Sequence, residues 1–181
     1  MSKMKVFCFG FGQVAKYFAK KILKEKIALE LNVTSRKNTH KLTFEGLDLN
    51  SFEFNNKKVD KNIDTKVQDA DFVLVSIPPV EDEDIVLKNF KEILKRSKPK
   101  WITYLSATSV YGNHEGEWVN EESETKPTST SGIKRLQAEN QWLKFSFDNN
   151  LPLQIFRLSG IYSIQNNILK RLISGQAKIV K

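Results

Sequence analysis

The chain has 181 residues, of which 40% are hydrophobic and 28% charged, with a formal net charge of +8. That length suits one well-buried domain and is too short for two ordinary ones, and the composition is that of a soluble globular protein rather than a disordered chain. One cysteine (Cys8) and two histidines (His40 and His114) exclude a disulfide framework and leave no ligand set for a structural zinc, so no metal site is expected. No apolar run approaches the roughly 20 residues of a membrane helix. The first apolar stretch is broken by Gly10 and Gly12 and followed by Lys16, Lys20 and Lys21, which is no secretory segment, so a cytoplasmic location is expected. Lys57, Lys58, Lys61, Lys88, Lys91, Lys95, Lys98 and Lys100 are scattered among acidic residues and not interleaved with aromatics. A solvated basic surface is therefore expected, with no specific nucleic-acid binding and no membrane partner.

Strand-like apolar runs alternate with helix-period segments, the pattern of a parallel sheet covered by helices on both faces. Lys5 to Phe9 (KVFCF) reads as a fully buried first strand. From Gln13 to Lys26, Val14, Phe18, Ile22 and Leu23 recur at helical spacing. Leu29 to Thr34 is a second strand, ending in the polar run Ser35-Arg36-Lys37-Asn38. A short helix after Asn38 and a strand near Phe52 to Phe54 are predicted next, with a lysine-rich connection. Asp71 to Ile77 is a buried strand stopped by Pro78-Pro79. Asp84 to Arg96 is an amphipathic helix with Val86, Leu87, Phe90, Ile93 and Leu94 on one side. Trp101 to Leu105 is the next strand and leads into Ser106–Gly112. A polar loop runs to Lys126-Pro127. A helix from about Ser131 to Asp148 then sets Ile133, Leu136, Asn140, Leu143 and Phe147 in line. Leu153 to Leu158 is a sixth strand, and Asn166 to Ser174 a last helix. The fold class is α/β: a Rossmann-type doubly wound parallel sheet with a glycine-rich first βα turn, spanning residues 1–164.

Gly10-Phe11-Gly12-Gln13-Val14-Ala15 is a G-x-G-x-x-A sequence set between a strand and a helix. The first glycine permits the tight turn, the second lets backbone approach a pyrophosphate, and the small Ala15 lets helix pack on strand. The helix N-terminus then offers free N–H groups and a partial positive charge to the phosphates. Gly10, Gly12, Gln13 and Val14 are thus candidate cofactor residues, joined by Ile77 and Pro78 at the end of the fourth strand. NAD-preferring sites usually place Asp or Glu at the end of the second strand to hold the ribose 2′-hydroxyl. Here Ser35 and Arg36 fill that place without a carboxylate, and a hydroxyl and a planar guanidinium suit a 2′-phosphate. NADP(H) is the expected cofactor and NAD the alternative.

The segment Ser106–Gly112 (SATSVYG), then Glu121, Pro127, Arg135-Leu136 and Glu139, resembles the extended short-chain dehydrogenase/reductase superfamily, nearest its NAD-dependent epimerase/dehydratase branch. Arg157-Leu158-Ser159-Gly160-Ile161-Tyr162 is similar to that branch's R-x-x-x-x-Y segment, and the shortened glycine motif marks an atypical subgroup. The resemblance implies a tyrosine acid/base, a lysine four residues later that also holds the nicotinamide ribose, and a serine or threonine that polarises the substrate oxygen. Those three positions fall on Ser131, Arg135 and Ala107. An alkyl hydroxyl cannot replace a tyrosine of reference pKa about 10. Arg135 stays protonated and relays no proton, although it can hold ribose hydroxyls. A register one residue earlier, pairing Thr130 with Lys134, restores the lysine but not the tyrosine. Tyr111, at the carboxyl end of the fifth strand, and His114, in the next loop with Glu115 and Glu117, are the remaining acid/base candidates.

Three functions fit. The first is a protein of the epimerase/dehydratase type acting on a sugar nucleotide or another carbonyl compound. The second is a module that holds NADP(H) as a sensor or structural ligand without turnover. The third is an enzyme of the β-hydroxyacid dehydrogenase or ketopantoate reductase sort, which Ser106–Gly112 disfavours. In the family resembled, the chain continues into a smaller substrate-binding region, so residues 165–181 are expected to begin one. Oligomeric state has no signature in the sequence.

Overall fold

A computed structural model of the chain describes residues 3–37, 41–80, 82–163 and 167–175. Its centre is strand β1 (Met4–Phe9), whose alternating side chains serve two cores. Val6 and Cys8 face helix α1 (Gln13–Lys24), while Phe7 and Phe9 face the layer made by α2 (Ile63–Gln68), α3 (Ile85–Ser97) and α4 (Thr130–Asn149). Burial on both faces explains why this strand reads as an unbroken apolar run rather than an alternating one. Burial also pushes the Cys8 thiol up to about 12, so it is a packing residue rather than a nucleophile.

The remaining strands are β2 (Leu29–Ser35), β3 (Lys41–Phe44), β4 (Leu47–Asn55), β5 (Lys58–Val59), β6 (Phe72–Val75), β7 (Trp101–Ala107) and β8 (Leu153–Leu158). They form a sheet in the order β3-β4-β2-β1-β6-β7-β8, with β5 paired to β4. Among the described strands, only β3 and β5 pair antiparallel, both with β4. The six parallel strands alone give the order 3-2-1-4-5-6 of a doubly wound dinucleotide-binding sheet. A last short helix, α5, spans Ile168–Ile173. No helix among the described residues is long and apolar enough to cross a membrane.

Two expectations for residues 38–55 are corrected. Residues 41–44 are a strand, not a helix, and residues 38–40 lie outside the described residues. Leu42 and Phe44 turn inward while Lys41 and Thr43 are exposed, a period of two, and the link to β4 is the two-residue turn Glu45-Gly46. Both turn residues have positive φ (49° and 77°), the geometry whose twist suits a tight hairpin. The strand predicted near Phe52 to Phe54 accordingly begins much earlier, at Leu47.

In α1, the buried positions are Ala15, Ala19 and Ile22, while Phe18 is 40% exposed. Small side chains let the helix approach the sheet closely, and the larger apolar residues beside them end at the edge of the contact. The same rotation occurs in α4. Its buried face is Gly132, Ala138, Glu139 and Trp142, whereas Ile133, Leu143 and Phe147, aligned in the sequence, are exposed. Gly132 sets this rotation, since a Cβ there would lie 2.5 Å from the Ser109 carbonyl.

The hairpin turn gives a clean test. A Cβ on Gly46 would meet nothing within 4 Å, so substitution there isolates the backbone term. Gly46→Ala should destabilise the protein by about 1–2 kcal/mol, the left-handed penalty for an L-residue, read as a lower urea midpoint with unchanged slope.

Candidate functional site

Gly10 leaves β1 with φ +86°, a left-handed turn that an L side chain resists. Two hydroxyls hold the turn. Its amide donates to Thr34 Oγ1 at the end of β2 (2.8 Å), and Ser76 Oγ, just past β6, donates to the Gly10 carbonyl (3.1 Å). A Cβ on Gly10 would lie 2.9 Å from that Ser76 oxygen. Gly12 then precedes α1 in extended conformation and gives the helix no side-chain cap, leaving its first amides directed outward. A Cβ on Gly12 would meet nothing within 4 Å.

These features floor a cavity of about 630 Å³ at the carboxyl ends of β1, β2, β4 and β6. It brings together Gly10, Gly12, Ser35, Arg36, Ile77 and Pro78, all singled out from the sequence. Gln13, Val14 and Arg135 are not among its described lining residues. Val14 packs into the α1 core instead, and the Gln13 side-chain amide nitrogen is buried with no hydrogen-bond partner among the described residues, at the first turn of the helix.

Sequence reasoning missed Lys16, Leu42, Thr43, Phe44 and Asn55, which also line the cavity. Leu42, Thr43 and Phe44 arrive there only because β3 folds back as an edge strand. Phe44 meets the Phe11 ring edge-on at 5.3 Å, and Lys16 lies over that same Phe11 ring at 5.8 Å. Lys20 binds Glu45 at 2.7 Å and ties the hairpin to α1. Lys16 could have been noticed from its place one turn into the helix after the glycines. The cavity thus has apolar walls, two cations (Lys16 and Arg36) and no carboxylate among its described lining residues.

The other candidates lie beyond this cavity. Tyr111 is 6% exposed, and its phenol oxygen accepts from Arg157 Nη1 at 3.0 Å. The Arg157 guanidinium stands 4.9 Å from the Tyr111 ring centre and pairs with Glu139 at 2.9 Å. Glu139 is 1% exposed, and its hydrogen bonds hold Arg157 firmly protonated, above the ordinary arginine range. His114 meets the Tyr111 ring edge-on at 6.4 Å, and its Nε2 lies 3.1 Å from the Glu124 carbonyl. Arg135 donates to the Leu105 carbonyl at 2.8 Å, between α4 and β7. It also lies near Tyr104 and Asp84. Asp84 caps α3 through the amides of Val86 and Leu87, and burial raises the pKa of its carboxyl. Ser131 Oγ lies 3.3 Å from Ser129 Oγ, and Lys134 Nζ donates to the Val80 carbonyl.

No protein-family model matches the chain, and no curated protein matches it significantly. Solved structures do. A functionally unknown conserved protein from Silicibacter pomeroyi is 28% identical, over 87% of this chain and 53% of that one, with a TM-score of 0.69. UDP-glucuronic acid 4-epimerase from Bacillus cereus, in complex with NAD, is 17% identical, over 94% of this chain and 64% of that one (TM-score 0.74). UDP-N-acetylglucosamine 4-epimerase from Bacillus cereus is 15% identical, over 86% and 53% (TM-score 0.64). The chain therefore has the Rossmann-type dinucleotide-binding fold that the NAD-dependent epimerases carry, and it spans between half and two-thirds of these three proteins' lengths.

These structures correct the expected cofactor. The UDP-glucuronic acid 4-epimerase structures and MoeE5, which share this fold, hold NAD and not NADP. The geometry bears on Ser35, whose hydroxyl has partners within the protein. Ser35 Oγ donates to the Lys37 carbonyl and accepts from Ser51 Oγ at 3.3 Å, while the Arg36 carbonyl accepts from Asn55 at 3.1 Å. The serine hydroxyl assigned to a 2′-phosphate is engaged in closing its own strand end.

The buried ion pair is open to direct test. Removing one partner of such a pair typically costs about 3–5 kcal/mol, and Arg157 keeps 21% of its side-chain surface in water. Glu139→Ala should fall near the lower end, about 3 kcal/mol, in urea unfolding.

Proposed function

We propose that this chain is an NAD-binding Rossmann module of the epimerase/dehydratase type that lacks the superfamily's usual acid/base set. The observation that carries the reading is the open space at Gly12. A site beside an uncapped helix N-terminus, where a Cβ on Gly12 would meet no atom of the described residues within 4 Å, flanked by Lys16 and Arg36, suits a pyrophosphate sterically and electrostatically. Phe11, Phe44, Ile77 and Ile85 offer apolar surface for a purine.

When bound, NAD supplies a nicotinamide ring that takes up hydride. The residues at the corresponding proton-transfer positions cannot support it. Ala107 has no hydroxyl, Ser131 has an alkyl hydroxyl of high pKa, and Arg135 remains charged while bonded to the Leu105 carbonyl. The reading is therefore a cofactor-holding module, a sensor or structural ligand site.

Calorimetry with NAD tests it. Gly12→Val should weaken NAD binding at least a hundredfold while leaving Tm within about 2 °C, because the added side chain occupies ligand space and strains no packed neighbour. Wild-type affinity in the folded variant would place the phosphate site elsewhere. Wild-type protein mixed with NAD and UDP-glucose should show no epimerisation by NMR. Robust turnover would overturn the module reading, and its loss in Tyr111→Phe or His114→Ala would identify the acid.

A further inference from the structure

A doubly wound sheet holds a dinucleotide across two mononucleotide-binding halves, one on each side of the switch point between the first and fourth parallel strands. In this chain the switch point lies between β1 and β6, and the two halves are not alike. The first half lines the cavity with the turn after β1, Lys16 of α1, the ends of β2 and β4, and β3, and the second half adds only the loop after β6 and the first residue of α3. Among its described lining residues none comes from β7, α4 or β8.

On that second half, Arg135, Arg157, His114, Lys134 and Gln141 are engaged by the protein itself, while Tyr104 Oη, Ser106 Oγ and Trp142 Nε1 have no hydrogen-bond partner among the described residues but are buried away from any ligand. Arg135 donates to the Leu105 carbonyl, and Arg157 pairs with Glu139 and Tyr111. The His114 ring nitrogen meets the Glu124 carbonyl. Lys134 and Gln141 both reach from α4 to the loop after β6. Lys134 donates to the Val80 carbonyl and Gln141 to the Asp82 carbonyl, while the Gln141 oxygen accepts from the Asp84 amide. The loop that leaves the cavity is thereby fastened to the helix that would have to face a nicotinamide.

From this asymmetry we propose that the site grips its ligand by the adenosine diphosphate half alone, so that ADP, ADP-ribose and NAD are equivalent ligands and the nicotinamide end is left unheld. The inference rests on the reading of the cavity as an NAD site. Lys16 and Arg36 lie on the gripping half, and a terminal phosphate adds negative charge beside them. ADP therefore binds at least as well as NAD on electrostatic grounds.

Calorimetry on the full chain with NAD, ADP-ribose, ADP and nicotinamide mononucleotide decides the matter. The expected result is ADP and ADP-ribose within tenfold of NAD, and no heat from nicotinamide mononucleotide at millimolar concentration. Bound NADH should keep the emission maximum of free NADH, because its ring stays in water. NAD more than tenfold tighter than ADP, binding of nicotinamide mononucleotide, or a shifted NADH emission would overturn the half-site while leaving NAD binding intact. Failure of all four ligands to bind would instead overturn the NAD reading itself, and the half-site with it.

Discussion

The Gly10 amide donates to Thr34 at the end of β2, and Ser76, beyond β6, donates to the carbonyls of Phe9 and Gly10 at 3.2 and 3.1 Å. Three adjacent strand ends are thus bound together around one left-handed residue. The rest of the site depends on this. The turn aims Gly12 and the α1 amides over the sheet, and the two hydroxyls satisfy backbone groups that would otherwise be stranded at the floor of a cavity. With that floor set, β2 and β4 on one side and the segment from Ser76 to Ile85 on the other become its walls.

The opposite side of the sheet is organised by a different interaction. Glu139, fully buried on α4, accepts from the Arg157 guanidinium on β8, which in turn covers Tyr111. A buried ion pair is weak evidence for net stability, because desolvation offsets most of the attraction. Its effect is positional: it fixes the rotation of α4 against β7 and β8 and holds Tyr111 inside the protein. Asp84 works alongside it. It caps α3 and faces the end of Arg135 and the Trp142 indole, and its desolvation is only partly offset by those neighbours. A half-sheet bound in this way has Arg135, Arg157 and Glu139 committed to internal contacts.

Helix rotation follows from close approach. Ala15 and Ala19 in α1, and Gly132 and Ala138 in α4, bring each helix near the sheet, and the bulkier apolar residues beside them are left at the rim or in water. Phe147 is 88% exposed for this reason, although its spacing from Leu143 and Asn140 is that of a helix face. Periodicity identifies a helix correctly here yet misplaces its inward side, because the pattern counts hydrophobicity and the packing selects for size.

Read by itself, the amino-acid sequence determined the strand–helix alternation, the glycine turn and the parallel class of the sheet. Each depends on neighbours within a few residues: a buried apolar run, a proline stop at Pro78, a positive φ at Gly10. It also placed Ser35, Arg36, Ile77 and Pro78 where strands end, which is where ligands meet such sheets. Only the tertiary structure decided the rest. Strand β3 is an edge hairpin because its two-residue turn lets Leu42 and Phe44 cover the α1 core, a pairing with partners far away in sequence. Ser35 reads as a phosphate ligand until Lys37 and Ser51 engage its hydroxyl. The Arg135 guanidinium, a ribose-ligand candidate from the sequence, donates a hydrogen bond to the Leu105 carbonyl, thirty residues earlier. In each case a polar group's function depends on which acceptor reaches it first, and that is settled by packing between distant segments rather than by spacing along the chain.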